Sequence, residues 1–151
     1  MPTHLTPVTA KDDLYSFVNA AFAAYLVASG EACEVRWQGK AKPNEPGNVW
    51  VRFSMQQVLS PLRGFIETQD SADLTVYETA GLFFAQVNVA MSEADSFRRG
   101  DLLATALRDM VRDKNTPGGI WLRNARFNEI PSDAQFYKWN VVAEYEYDEA
   151  G

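Results

Sequence analysis

Few side chains in this chain of 151 residues have the types and spacing that catalysis or metal binding requires. Histidine, the commonest acid–base group at neutral pH, occurs once, as His4 in an N-terminal segment broken by prolines. Cysteine also occurs once, as Cys33, so neither an internal disulfide nor the spacing of a zinc site exists. We therefore expect no Cys–His nucleophile, and we interpret Cys33 as a small buried residue with a reduced thiol.

Carboxylates cluster near the C-terminus, at Glu144, Glu146, Asp148 and Glu149. Hydrolytic carboxylate pairs lie in clefts that drive their pKa values apart, whereas a strand face near a chain end is more often solvated. Phosphate-binding Gly-Lys-Ser/Thr loops and Gly-x-Ser-x-Gly elbows are also missing from the sequence. The sequence thus predicts no catalytic residue, no metal site and no cofactor, and we expect that the protein is not an enzyme.

Arg98 and Arg99 stand at the start of a predicted helix, where cations oppose the helix dipole. Two interpretations remain open: local pairing with Glu93 or Asp95, or a contact with a neighbouring subunit. We take both arginines as candidate interface residues.

Two further pairs of residues are candidate contacts with other proteins. Arg63 and Phe65 belong to a mid-chain hairpin whose backbone edge could pair with another chain. Lys40 and Lys42 belong to a polar loop that could order on a partner, although a plain exposed connection is the simpler interpretation.

Composition limits the classes of partner. The formal net charge of −6 disfavours nucleic acid and anionic membranes, both of which bind through Lys and Arg. No signal peptide and no stretch of ~20 apolar residues is visible, and the length fits a single domain, 1–151, that buries roughly 70% of its unfolded surface.

Hydrophobic periodicity predicts two amphipathic helices. The first should run from about Ala10 to Ser29, after a loose lead-in over 1–9, with Thr9 and Asp12 forming a capping box. The second should begin near Ser92 or Ser96, with Ser92 and Asp95 as a further capping box, and run to about Lys114; its Gly100 should be a weak point.

Alternating patterns predict strands around and between these helices, and residues 38–48 form a mobile loop rich in Pro and Gly. The predicted strands are Cys33–Trp37, Asn48–Leu59, Arg63–Gln69, Leu74–Met91, Ile120–Glu129 and Gln135–Tyr147. Within four of them, alternation places on one face the sets Val49, Val51, Phe53 and Met55; Phe83, Val87 and Val89, on the core side; Trp121, Arg123, Ala125 and Phe127; and Trp139, Val141, Ala143, Tyr145 and Tyr147. We therefore expect an α+β fold: a mostly antiparallel or mixed sheet of about five strands, with both helices packed on one face.

This order of elements, together with three groups of residues, resembles the tail terminator-like family of long-tailed bacteriophages. Gly81, Phe83, Val87 and Val89 precede the second helix, and the final strand contributes Trp139, Val141, Val142, Tyr145 and Tyr147. On the second helix the matching residues are Leu102, Leu103, Ala106, Leu107 and Val111. The likeness spans about Leu14 to Tyr147, but its patterns do not assign individual binding residues.

The resemblance implies a virion structural protein made in the host cytoplasm. Such a protein forms a ring, typically a hexamer, at the head-proximal end of the tail tube, stops tube polymerisation and presents the head-joining surface. Its partners are itself, the tail tube protein and a neck or connector protein. A head–tail connector or neck completion protein and an unrelated small binding domain remain as alternatives.

Overall fold

The computed structural model describes residues 5–38, 47–59, 62–66 and 74–150, with side chains left undescribed in 58–78 and 149–150. Two helices and six strands occur in these ranges. The helices are α1 (Pro7–Ser29) and α2 (Ser96–Val111). The strands are β1 (Glu34–Trp37), β2 (Val49–Leu59), β3 (Leu62–Ile66), β4 (Leu74–Ala90), β5 (Trp121–Ile130) and β6 (Phe136–Ala150). The predicted α+β class is confirmed.

α1 begins at Pro7, three residues before the predicted start. Thr6 and Thr9 form the capping box: the Thr9 amide donates to Thr6 Oγ1 at 3.2 Å, and the Thr6 amide donates to Thr9 Oγ1 at 2.8 Å. Pro7 suits the first helical position because that position needs no amide donor. The Thr9–Asp12 box and the loose structure of residues 7–9 were therefore wrong predictions, and residues 1–4 lie outside the described ranges.

α2 begins at Ser96, the second of the two predicted starts, but without the predicted cap. Residues 91–95 form turns, and Asp95 caps the helix in a left-handed conformation, φ 51°, with no side-chain capping bond. The Ser92–Asp95 capping box was therefore a wrong prediction. The helix ends at Val111 rather than Lys114, because Lys114 is already turned to accept the Leu122 amide at 2.8 Å.

All six strands form one mixed sheet, in the order β1-β2-β4-β6-β5, with β3 paired to β4 beyond the end of β2. β1 and β2 are parallel, and the remaining pairs are antiparallel. β4 has 17 residues and β6 has 15, so these two strands are the longest of the sheet. Residues 39–46 of the predicted mobile loop and 67–69 of a predicted strand lie outside the described ranges.

One core cluster joins alternate residues of the strands to the buried residues of both helices. As predicted, β2 contributes Val49, Val51, Phe53 and Met55, and β4 contributes Phe83, Val87 and Val89. Trp139, Val141, Ala143, Tyr145 and Tyr147 of β6 are also buried as predicted. The helices add Ala10, Leu14, Val18, Phe22, Leu103, Ala104, Leu107 and Val111.

β5 does not keep the single alternation that the sequence suggests. Leu122 is buried and Trp121 is 51% exposed, whereas Ala125 and Phe127 pack against the core. A β-bulge between Arg123 and Arg126, with Asn124 at φ 53°, changes which residues face inward. The prediction that Trp121 and Arg123 share a face with Phe127 was therefore wrong.

Gly100 is a packing requirement rather than a weak point. A Cβ atom at this position would lie 2.0 Å from the Trp139 ring, so the absence of a side chain lets α2 approach β6. Trp139 is fully buried, and its Nε1 donates to Asp101 Oδ1 at 2.8 Å. The cost of glycine in a helix is thus offset by the burial of the largest side chain in the core.

Asp13 ties α1 to the turn that follows α2. Its carboxylate accepts the Thr116 hydroxyl and, at 3.1 Å, the Gly118 amide. A Cβ atom at position 118 would lie about 2.5 Å from this carboxylate, so a larger residue here would require the carboxylate to move.

Candidate interaction surfaces

The β2–β3 side of the sheet presents a long edge. β1 pairs only with Trp50–Phe53 of β2, and Gln38 Oε1 accepts the next edge amide, from Met55, at 3.0 Å. Among the described strands, β3 pairs with β4 alone. Phe65 of β3 is opposite Thr75, and Arg63 falls in an irregularity between Leu62 and Gly64. Within the described ranges, the outer backbone edge of β3 therefore has no strand partner.

Arg99 is held inside the subunit. Its Nη1 donates to Glu93 Oε2 at 2.8 Å and its Nε donates to Glu31 Oε1 at 2.9 Å. The hydrogen bond with Glu31, reinforced by Glu93, raises the pKa of the guanidinium against the effect of partial burial. Glu93 was one of the predicted partners, but Glu31, at the end of α1 and 68 residues away, was not foreseen.

Arg98 differs from its neighbour in exposure and pairing. Its side chain is exposed, and no ion pair to it occurs within the described ranges. Arg98 thus remains available for a contact with another chain. Lys40 and Lys42 lie outside the described residues.

The sheet face opposite the core carries a polar row. Arg52, Gln86, Asn140 and Asn128 are in register across β2, β4, β6 and β5. A cavity of about 500 Å³ lies on this face, lined in part by Arg52, Gln86 and Asn140. Hydrogen-bonding groups without formal charge dominate the row, which suits an adaptable polar contact more than an acid–base reaction.

Beside this row, a buried cluster holds polar atoms without hydrogen-bond partners. The Arg36 guanidinium lies 4.2 Å from the centroid of the Trp50 ring, and Trp50 is opposite Asn88 in the sheet. Among the described residues, no hydrogen-bond partner is found for Arg36 Nη2, Trp50 Nε1 or Asn88 Oδ1. Such groups are costly unless water or a ligand satisfies them.

The C-terminal carboxylates engage in local pairs. Glu146, which is 6% exposed, accepts from Arg123 Nη2, and Glu144 accepts from the Asn124 amide at 2.7 Å. The described residues contain no group of three or more His, Cys, Asp or Glu side chains that could hold a metal ion.

Cys33 is largely enclosed. Its Sγ donates to the Glu34 carbonyl at 3.5 Å, and burial, with the negative charges of Glu31 and Glu34, raises the pKa of the thiol to about 12. The thiolate that would act as a nucleophile is therefore scarce at neutral pH.

Exposed apolar side chains occur at three places among the described residues. Val8 and Val27 of α1 are 70% and 85% exposed. Met91, Phe97 and Leu102 lie at the start of α2 or just before it, and Trp121 begins β5. Neither described helix is long and apolar enough to cross a membrane.

Comparison with known proteins supports the fold. A solved protein whose name carries no functional description has a TM-score of 0.56 and 16% identity, with 87% of this chain and 94% of that chain covered. A chain from the virion of a native gene transfer agent particle has a TM-score of 0.49 and 14% identity, covering 93% and 97% of the two chains. The first likeness shows a shared fold, and the second is too distant to carry an argument.

No family model matches the sequence. No curated protein matches it either.

Proposed function

We propose that this protein is a phage tail terminator: a ring, typically a hexamer, that caps the head-proximal end of the tail tube. The ring stops tube polymerisation and offers the surface for the neck or connector protein. The sequence resemblance over Leu14 to Tyr147 motivates this assignment. The role places the protein in the virion, after synthesis in the host cytoplasm, and it requires no catalytic group, metal or cofactor.

The observation that carries the proposal is the long edge formed by β2 and β3. A closed ring needs a heterologous contact, in which two different surfaces of the same subunit meet. An edge strand offers unpaired backbone groups to such a contact. Here β1 covers only four residues of β2, and β3 has one neighbour among the described strands. The opposite edge strand, β5, carries a bulge and the exposed charges of Arg123 and Arg126, features that discourage backbone pairing.

The assembly state tests the ring directly. We expect light scattering after size exclusion to give a mass of several subunits, and negative-stain microscopy at high concentration to show a closed ring with a central hole. Rings of this class can need the tube as a template, so a monomeric sample is next mixed with pre-formed tail tubes. Failure both to form rings and to cap tubes would overturn the proposal.

Two matched variants test whether the β2–β3 edge forms the contact between subunits. Phe65→Glu places a charge on β3 and should reduce ring formation, whereas Asn128→Glu makes a similar change on β5 and should leave the ring intact. Circular dichroism must show both variants folded. If both variants form rings as well as the native protein, the β2–β3 edge is not the subunit contact.

A head–tail connector or neck completion protein is the second candidate, because its ring would use the same edges. The two candidates differ in the partner that binds first. A terminator binds tail tubes that lack heads, whereas a neck protein binds heads that lack tails, so sedimentation with each separated particle distinguishes them.

A further inference from the structure

β1 covers only the first part of the edge of β2. Its last backbone contact there is the Gln38 amide, which donates to the Phe53 carbonyl at 3.0 Å. The Gln38 side chain then takes the place of a strand, because its Oε1 accepts the Met55 amide at 3.0 Å. No described strand pairs with residues 54–57 on this side, so the next outward amide, that of Gln57, can bond to another chain.

A polar cavity of about 500 Å³ lies beside this part of β2, on the sheet face opposite the core. Arg52 is the one charged residue of its lining, which also contains four amide side chains and a hydroxyl: Gln38, Gln56, Gln86, Asn140 and Ser54. Arg52 is exposed, and among the described residues no carboxylate lies within ion-pair distance of it. A guanidinium with neutral donors around it is a suitable receptor for a carboxylate.

A second arginine adds positive charge at this place. Arg36 of β1 is directly opposite Arg52 in the ladder, and like charges on neighbouring strands destabilise a sheet. Glu34 is the carboxylate that pairs with Arg36, at 3.5 Å from its Nε, and the other oxygen of Glu34 accepts the Gly47 amide at 3.0 Å. Two guanidinium groups thus share one carboxylate, and an acidic side chain from another molecule would balance the second.

An apolar groove of about 360 Å³ lies at the same end of β1, where Tyr15 and Trp37 pack against the core. Its lining consists of Val8, Tyr15 and Trp37 together with Lys11, Asp12 and Gln38. Gln38 therefore lines both the groove and the polar cavity. Successive side chains of a strand point to opposite faces of a sheet, so a strand beside β2 would direct alternate residues into the cavity and the groove.

We propose that this site binds an extended, acidic segment of another protein, which adds to the sheet beside residues 54–57 of β2. Its backbone pairs with the edge of β2, an Asp or Glu side chain enters the polar cavity and binds Arg52, and an adjacent apolar side chain enters the groove near Trp37. Main-chain hydrogen bonds give such a contact its affinity, and the alternate pockets give it specificity. The site is separate from the proposed ring contact tested at Phe65, which lies on β3 beyond the end of β2.

The chemistry of the site favours an acidic protein segment over other occupants. One exposed cation in the cavity does not supply the several Lys or Arg contacts to phosphates on which nucleic acid binding depends. A second copy of this chain is disfavoured because β6, the described strand that carries Glu144, Glu146 and Asp148, is already paired on both sides, with β4 and β5.

Calorimetric titration of the full chain with a short synthetic peptide tests the proposal. The probe is a peptide of alternating valine and glutamate, and a peptide of alternating valine and serine is its control. The net charge of −6 repels an acidic peptide, so the titration is made at about 0.15 M salt, which limits that repulsion to a range of about 8 Å. The glutamate peptide should bind about tenfold or more tightly than the serine peptide, because only glutamate bonds to the guanidinium through a charge.

Two substitutions separate the side-chain contact from the backbone contact. Arg52→Gln should weaken binding of the glutamate peptide by about tenfold or more. Gln57→Pro removes the outward amide and should also weaken binding, since proline is tolerated where the amide faces away from the ladder. Arg126→Gln changes another exposed arginine, on β5, and should bind the peptide like the native protein. Circular dichroism must show that each variant is folded.

Equal binding of the two peptides, or native affinity in a folded Arg52→Gln or Gln57→Pro variant, would overturn the proposal. If the glutamate peptide instead dissociates multimers of the native protein, the occupant is a second copy and the assignment to another protein is wrong. Ring formation is measured separately: Arg52→Gln should retain it, and Phe65→Glu should retain peptide binding. Since peptide binding requires no ring, a monomeric protein that binds the peptide supports this inference even where the ring proposal fails.

Discussion

The two faces of the central sheet are built from alternate residues of the same strands, yet they differ in almost every property. On one face Val51, Val87 and Trp139 are in register and fully buried within the core cluster. On the other, adjacent residues place Arg52, Gln86 and Asn140 in register beside an open cavity. Substitutions on the buried face should therefore lower the free energy of unfolding strongly. The polar face tolerates more change and is available for contacts with other proteins.

The largest expected effect comes from placing a charge on each face in turn. Val87→Asp buries an unpaired carboxylate, which costs about 5 kcal/mol or more and should unfold the domain. Gln86→Asp, one residue away on the opposite face, should cost about 1 kcal/mol or less. Urea unfolding followed by circular dichroism measures both changes. Similar losses in the two variants would show that the second face is as constrained as the first.

Gly100→Ala should give the next largest effect, a loss of about 2–3 kcal/mol, although alanine favours helices. The new methyl group would collide with the Trp139 ring, so α2 must move away from β6. Combining Gly100→Ala with Trp139→Phe should cost less than the sum of the single changes. Additive losses would contradict direct contact between these two positions.

Removing Arg99 should have a moderate effect. Arg99→Ala breaks the link between the end of α1 and the turn before α2, and we expect a loss of about 1 kcal/mol because the three side chains remain partly exposed. Arg98→Ala, its exposed neighbour, should change unfolding by less than about 0.5 kcal/mol. If charge reversal at Arg98 leaves both ring assembly and circular dichroism unchanged, Arg98 has no role in subunit contact.

The reactivity of Cys33 should measure how readily the core opens, because its thiol is largely buried against the core cluster. Since burial raises the pKa of its thiol to about 12 from an ordinary value of 9.0, thiolate at pH 8 should be about a thousandfold scarcer than for an open thiol. Alkylation of the folded protein at pH 8 should be slow by a similar factor, and should accelerate as pH rises towards 12 or when urea is added. Rapid labelling under native conditions would mean that this part of the core opens easily.

Local patterns were sufficient for much of the fold. The strands β2, β4 and β6 alternate cleanly, so their buried faces were predicted residue by residue, and Gly30 ends α1 as expected. The wrong predictions concern the helix caps and β5, where the capping residues or the backbone conformation depart from the usual pattern. Thr9 replaces the usual Glu or Gln in the α1 capping box, and the bulge at Asn124 reverses the alternation of β5.

The candidate interface residues were predictable only in part. Arg98 and Arg99 are visible in the sequence as a pair at a predicted helix start, but the sequence does not show which of them is bound within the subunit. Their difference arises from Glu31, which approaches Arg99 because α1 ends beside the start of α2. Likewise the sequence did not show that Ala20, Ala23, Ala24 and Val27 of α1 are exposed, since apolar side chains on a helix usually indicate burial.

The sequence alone determined the class of elements and their order, because these depend on residue types and short periodicities. Only the tertiary structure decided how little of β2 is covered by β1 within the described ranges, why position 100 must be glycine, and which arginine is held. Those properties depend on contacts between residues that are far apart in the chain, and no local pattern encodes the distance between them.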